Sequence, residues 1–278
     1  MTAAIEFIDI DWDGRRISLE YQWIGVEADG PLIVFLHEGL GSLAMWKDFP
    51  QRLCQATGRR GLVYSRPGYG ASSARAVDEK WDVDFMHRQA YDLLPALLEA
   101  LDVDTGCSPP WLFGHSDGGS IALLYAAGYP DALAGLVVLS PHIMVEDLTV
   151  ASIAQARQTY RQTDLKQKLG RYHADADSAF WGWNDIWLLP AFRDWSIENE
   201  IVAIACPLLA VQGIDDEYGT LLQVHGIAQR VAQARVVELS DCGHSPHRDQ
   251  PEELIRQVAK FIGDASAESG LCAAVSSA

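Results

Sequence analysis

The chain is poor in positive charge. Lys and Arg number 21 against 38 Asp and Glu, giving a formal net charge of -17 and a pI near 4.7. That deficit argues against binding to nucleic acid or to an anionic membrane surface. No apolar run approaches the roughly 18 residues of a membrane span. Met1 to Ile10 has no basic region followed by a long apolar stretch, so no leader peptide is expected. The five cysteines (Cys54, Cys107, Cys206, Cys242, Cys272) are odd in number and form no C-x-x-C. They indicate neither a disulfide framework nor a zinc site. H-E-x-x-H spacing and a G-x-G-x-x-G between strand and helix are both missing, so no metal and no dinucleotide cofactor is expected. There is no internal repeat and no long linker. These absences leave a soluble, cytoplasmic protein with a small-molecule partner. Its oligomeric state stays open.

What is present is 278 residues, 49% of them hydrophobic, enough for one large α/β domain or two modest ones. Ile5 to Trp12 and Arg15 to Ile24 alternate in period two around Asp13-Gly14, which predicts an antiparallel hairpin. Leu32 to Leu36, Gly61 to Ser65, Trp111 to Phe113, Ala134 to Leu139 and Pro207 to Val211 are apolar runs typical of strands covered on both faces. Arg235 to Leu239 completes the set. Helical patterns separate them: Trp46 to Thr57, Val83 to Leu101 with a kink at Pro95, Ser120 to Ala127, and Leu221 to Val231. A last helix opens at Pro251, and Gly263 is expected to end it.

From Pro141 to Ile204 no strand rhythm appears, and the stretch is helical and rich in tryptophan. The pattern predicts an α/β fold, a mostly parallel sheet led by the hairpin. A helical cap is inserted after the sixth strand, over the carboxyl edge where ligands bind. The expected division is residues 1–140 and 205–265 as core, 141–204 as cap, and 266–278 as a disordered tail.

The chain is organised around Trp111-Leu112-Phe113-Gly114-His115-Ser116-Asp117-Gly118-Gly119. Gly114 and Gly118 bracket Ser116 as G-x-S-x-G between a strand and a helix, the context of a nucleophile elbow. A serine on so sharp a turn sits in strained backbone, and side chains two residues away would collide with neighbouring elements. Its place at a helix start favours developing negative charge. A nucleophilic serine needs a base, and the base an orienting acid. Later strands end in Gly213-Ile214-Asp215-Asp216-Glu217 and in Cys242-Gly243-His244-Ser245-Pro246-His247, so the order is Ser, acid, His.

These motifs resemble the α/β-hydrolase superfamily over Ile5 to about Ile262. The resemblance implies a catalytic triad of Ser116, Asp216 and His244, with Asp216 preferred to Asp215 and His244 to His247. It implies oxyanion donors from the backbone N–H of Asp117 and from the loop His37-Glu38-Gly39-Leu40-Gly41, where Gly39 matches the donor position and Leu40 is the alternative. Glu38 stands where the family has glycine. The Ser-Asp-Gly-Gly elbow is similar to that of valacyclovir hydrolases, in which the aspartate matching Asp117 faces a substrate amine. The helix start alone also accounts for Asp117.

His37 reads as a loop-holding residue, His115 as packing, and His87 and His225 as surface. His173 falls in the cap. His142, at the cap entrance, is a pocket candidate with Glu38, Leu40, Met144, Trp183 and Trp187. Phe180, Trp183 and Trp187 share helical spacing, which serves packing as readily as recognition. The expected activity is hydrolysis of a small or medium carboxylic ester, amide, lactone or thioester. The rivals are a C–C bond hydrolase of aromatic ring-cleavage products and a non-catalytic receptor on the same scaffold.

Overall fold

The computed structural model describes the backbone of residues 4–25, 31–76 and 78–276 and the side chains up to residue 268. Met1 to Ala3, part of the segment read for a leader, lie outside it.

β1 (Glu6–Trp12) and β2 (Arg15–Ile24) form the antiparallel hairpin. Its turn holds Asp13 and Gly14 at φ 55° and 69°, the left-handed pair that matches strand twist in a two-residue hairpin. Then follow β3 (Ile33–Leu36), β4 (Gly61–Tyr64), β5 (Trp111–His115), β6 (Gly135–Leu139), β7 (Leu208–Gly213) and β8 (Ala234–Leu239). Among the described residues these eight strands form one sheet in the order β1-β2-β4-β3-β5-β6-β7-β8. β2 runs antiparallel to β4, and β3 to β8 are parallel. The apolar runs are explained by burial on both faces. Val34, Leu36, Leu112, Leu136 and Val138 join the core on one side, whereas Ile33, Phe35, Phe113, Val137 and Leu139 join that on the other.

The connections are helical: α1 (Phe49–Thr57), α2 (Phe85–Arg88), α3 (Leu94–Ala100), α4 (Asp117–Gly128), α5 (Asp147–Gln162), α6 (Leu165–Leu169), α7 (Ala176–Trp187), α8 (Leu222–Arg230), α9 (Pro246–Asp249) and α10 (Pro251–Ser276). The helix expected from Trp46 is divided. Leu43–Trp46 is a 3-10 turn, Lys47 takes φ 56°, and α1 begins afresh with Pro50 in its first turn. The kink at Pro95 is a π-helical turn, Gln89–Leu93, between α2 and α3. Proline has no N–H for the carbonyl four residues earlier, and Tyr91 O accepts from Tyr129 Oη at 3.0 Å instead.

One expectation at the end of the chain fails. α10 does not stop at Gly263, and residues 266–276 continue as helix. A glycine inside a helix costs only about 1 kcal/mol relative to alanine. Phe261, Ile262 and Ala265 around it are buried in the core, so packing outweighs that cost.

Between β6 and β7 lie α5, α6, α7 and two 3-10 turns, Pro190–Asp194 and Glu200–Ala203. Met144 and Ser196 form an isolated antiparallel bridge there. Phe180, Trp183, Ile186, Trp187, Phe192 and Trp195 are buried in the same core as one face of the sheet. Among the described residues no helix is long and apolar enough to cross a membrane.

Candidate active site

Ser116 connects β5 to α4 with φ 53° and ψ -120°. A non-glycine residue held there costs about 1–3 kcal/mol, which close packing must offset. The flanking glycines show that packing. A Cβ on Gly114 would lie 2.3 Å from Gly118 O, and one on Gly118 would lie 2.2 Å from Leu36 O, so no side chain fits at either position. The Ser116 N–H is anchored to Leu139 O at 2.9 Å.

Asp216 and His244 come from the loops after β7 and β8. His244 Nδ1–H donates to Asp216 Oδ1 at 2.8 Å. The same carboxylate accepts from the N–H of Tyr218 at 2.8 Å and of Gly219 at 3.2 Å, and from Gln212 Nε2 at 3.1 Å. Burial pushes its pKa up. The hydrogen bond and charge of His244, with the Tyr218 N–H, outweigh burial and bring it down to about 2. Neighbouring Asp215 is exposed. His247 lies buried against Trp46, Phe49 and His115, with neither ring nitrogen bonded.

Ser116 and His244 line one cavity of about 210 Å³ with Glu38, Gly39, Leu40, Asp117, His142, Trp183 and Trp187. Asp216 stands behind His244, outside the lining. Met144, also expected at the pocket, does not line it. Its backbone is committed to the bridge with Ser196 and its carbonyl accepts from Gln223 Nε2 at 3.1 Å, which holds it in the wall of the insert.

The loop after β3 is fixed from below. The Arg66 N–H donates to His37 Nε2 at 3.0 Å, so His37 carries its proton on Nδ1 and donates to Glu38 O at 2.7 Å. The buried Arg66 guanidinium also donates to Glu38 O, at 2.8 Å. Burial, then the Arg66 charge, holds the His37 pKa well below its ordinary value. His173 fastens the insert to the same region, accepting from Gly70 N–H at 3.0 Å and donating to Leu40 O at 3.1 Å. Trp183 lies directly on the loop, since a Cβ on Gly39 would meet its indole at 2.3 Å.

His142 packs edge-on to Trp187, centroids 4.9 Å apart, and lies 5.9 Å from His244. Burial foremost, then the charge of His244, brings its pKa down to about 3. It is therefore a neutral imidazole in the cavity wall. Asp117 is wholly buried; burial raises its pKa, opposed by Arg66 and by the Trp187 N–H.

Met45, His115, Ile153, Leu169, Tyr218, Ser245 and Arg248 also line the cavity. They were not foreseen as pocket residues. Tyr218 could have been flagged, since it follows Asp216 by two residues and its ring stands 4.9 Å from that of His244. Ile153 and Leu169 carry no such signal. Among the described residues no group of three or more His, Cys, Asp or Glu side chains is placed to hold a metal ion.

Residues 33–257 match the model of the alpha/beta hydrolase family. The chain is 25% identical to the sn-1-specific diacylglycerol lipase ABHD11 of Mus musculus, over 90% of this chain and 87% of that one. It is 29% identical to a 2-succinyl-6-hydroxy-2,4-cyclohexadiene-1-carboxylate synthase of Yersinia pestis, over 85% and 89%. A thermophilic esterase from Thermogutta terrifontis superposes with a TM-score of 0.71 over 94% of this chain and 99% of that one, at 20% identity, a likeness of fold.

Proposed function

The chain belongs to the α/β-hydrolase family, and from that premise we propose that it is a serine hydrolase of small or medium carboxylic esters, working through an acyl-enzyme on Ser116. Related amides, lactones and thioesters fall within the same chemistry. The observation that carries the reading is the 2.8 Å bond from His244 Nδ1 to Asp216, at the wall of the cavity that His244 shares with Ser116. That bond leaves Nε2 of His244 as the basic atom. His244 takes the Ser116 proton as the hydroxyl attacks the carbonyl and returns it to the leaving group. It then activates the water that releases the acid. Asp216, ionised down to about pH 2, fixes the tautomer and stabilises the imidazolium.

The backbone N–H groups of Gly39 and Asp117 receive the oxyanion. Both residues line the cavity, and α4 begins at Asp117, where first-turn N–H groups lack helical partners. The helical insert, residues 141–204, serves as a cap over residues 1–140 and 205–265. It supplies Ile153, Leu169, Trp183 and Trp187 to the cavity and so selects the acyl and leaving groups. His142 and Leu40 complete the substrate contacts. The lipase among the relatives favours ester chemistry.

The test is turnover of p-nitrophenyl esters of graded chain length, with fluorophosphonate labelling. Sustained turnover and labelling that both vanish in Ser116→Ala support the reading. A single slow burst indicates a receptor, and diketone cleavage without ester turnover indicates a C–C hydrolase.

A further inference from the structure

Glu38 occupies a loop position where a glycine would suffice, and its side chain has a defined task. The carboxylate folds back over Gly41, where an added Cβ would meet Glu38 Oε2 at 2.3 Å. Its two oxygens then point to two different groups. Oε1 pairs with Arg248 Nη2 at 3.2 Å. Arg248 is in α9, four residues beyond His244. Oε2 faces His115 Nδ1 at 3.5 Å, and that nitrogen, wholly buried, has no hydrogen-bond partner. The other ring nitrogen of His115, Nε2, lies 2.7 Å from His244 O. A carbonyl oxygen only accepts, so Nε2 must donate. The imidazole therefore stands between the two loops, hydrogen-bonded to the His244 carbonyl through Nε2 and 3.5 Å from the Glu38 carboxylate through Nδ1.

Both arms end on the same segment, one at the His244 carbonyl and one at Arg248. Their common origin is a residue whose own carbonyl is held by Arg66 and His37. We propose that Glu38 is a positioning residue that braces the loop of Gly39 against the loop of His244. It thereby fixes the oxyanion donor and the base relative to each other. The inference rests on the hydrolase reading for what the brace serves, but the brace itself can be observed without turnover.

The surroundings suit a permanently ionised carboxylate. Facing Glu38 are His115 from β5, His247 and Arg248 from α9, Asp117 from α4, and His173 from the insert. Burial pushes the Glu38 carboxyl up. His115, then Arg248 and His247, more than reverse that and hold it well below the ordinary glutamate range. The side chain is only 15% exposed, so solvent screens these pairs incompletely.

Two measurements test the brace. The first is steady-state hydrolysis of a p-nitrophenyl ester by wild type, Glu38→Ala, Glu38→Gln, Arg248→Ala and the Glu38→Ala/Arg248→Ala double variant. Misplacing donor and base damages the chemical step more than binding. Glu38→Ala should therefore lower kcat by roughly tenfold or more while KM moves less than about threefold. The double variant should be no worse than Glu38→Ala, because both changes cut one connection. Glu38→Gln should retain kcat within about threefold, since its amide can accept from Arg248 and place its NH2 toward His115 Nδ1.

The second measurement is the imidazole 15N NMR spectrum, in which the His115 ring resonances should differ between wild type and Glu38→Gln, because the substitution removes the charge 3.5 Å from Nδ1. Wild-type kcat in Glu38→Ala, losses that multiply in the double variant, or a His115 ring unchanged by Glu38→Gln would each overturn the proposal. If Glu38→Ala does not fold, Glu38→Gln and its spectrum still decide. If wild type shows neither turnover nor Ser116 labelling, the hydrolase reading fails, while the His115 spectrum still answers for the brace.

Discussion

The indole N–H of Trp187 donates to Asp117 Oδ1 at 3.2 Å, while Oδ2 of the same buried carboxylate has no partner. An unsatisfied buried acceptor costs about 1–3 kcal/mol, and this one belongs to a residue that lines the cavity. A substrate ammonium would satisfy it. An α-aminoacyl ester should then outrun its des-amino analogue by about tenfold in kcat/KM, and Asp117→Asn should erase the difference while sparing neutral esters. If the des-amino ester is the better substrate of wild type, Asp117 serves the start of α4, where a carboxylate is worth ~0.3–1 kcal/mol.

The proposed base and its proposed acid each have a near neighbour, and the geometry distinguishes them. His244→Ala should lower kcat roughly a thousandfold or more, and Asp216→Asn somewhat less. His247→Ala should act mainly on stability, because its ring is packed between Trp46, Phe49 and His115. Asp215→Asn should do little, since the side chain is exposed. Kinetics and melting temperatures of the four variants check this. A larger kcat loss in His247→Ala than in His244→Ala would reverse the assignment.

How much of this was legible in the chain depended on the range of the signal. β3, β5, β6 and β7 were readable because strands buried on both faces are apolar without a break, and their loops carry short glycine-marked motifs. Ser116, Asp216 and His244 are far apart in sequence, yet each motif could be found locally. The cavity wall was not readable in the same way. Ile153 and Leu169 sit on α5 and α6, whose inward faces are set by packing against α7 and each other, and Met144 is held in a bridge with Ser196. Gly263 misled because a weak local preference met a strong tertiary contact.

His142 makes stability depend on pH in a definite direction. Its folded pKa, brought to about 3 by burial, lies below the ordinary 6.5. Between those values the unfolded chain binds a proton that the folded chain refuses. This contribution therefore falls as pH drops below 6.5 and has run its course near pH 3. By pH 5 the loss is about 2 kcal/mol at 1.36 kcal/mol per unit. His142→Asn lacks the titrating group. Urea unfolding at pH 7 and pH 5 should show wild type losing about 2 kcal/mol more than the variant. Equal losses would mean that His142 accepts its proton in the folded state.

The contact between Gly39 and Trp183 bears on the loop proposed to hold the oxyanion and on the insert together. A Cβ on Gly39 would stand 2.3 Å from Cδ1 and Nε1 of Trp183 and 3.1 Å from Asp117 Oδ2. The indole cannot simply swing away, because Trp183 is buried with Phe180 6.0 Å from it. Gly39→Ala must therefore move either the loop or the tryptophan. If the loop moves, its N–H leaves the proposed oxyanion site, and losing one such donor costs about 10²–10³ in kcat. Trp183→Ala alone opens the cavity and should change the ranking of esters more than the rate for small ones. The two changes should compensate. Gly39→Ala/Trp183→Ala should recover at least about tenfold of the kcat lost in Gly39→Ala, because the methyl group then has room. A double variant no better than Gly39→Ala would mean that the clash with Asp117 and the backbone, not the indole, sets the need for glycine.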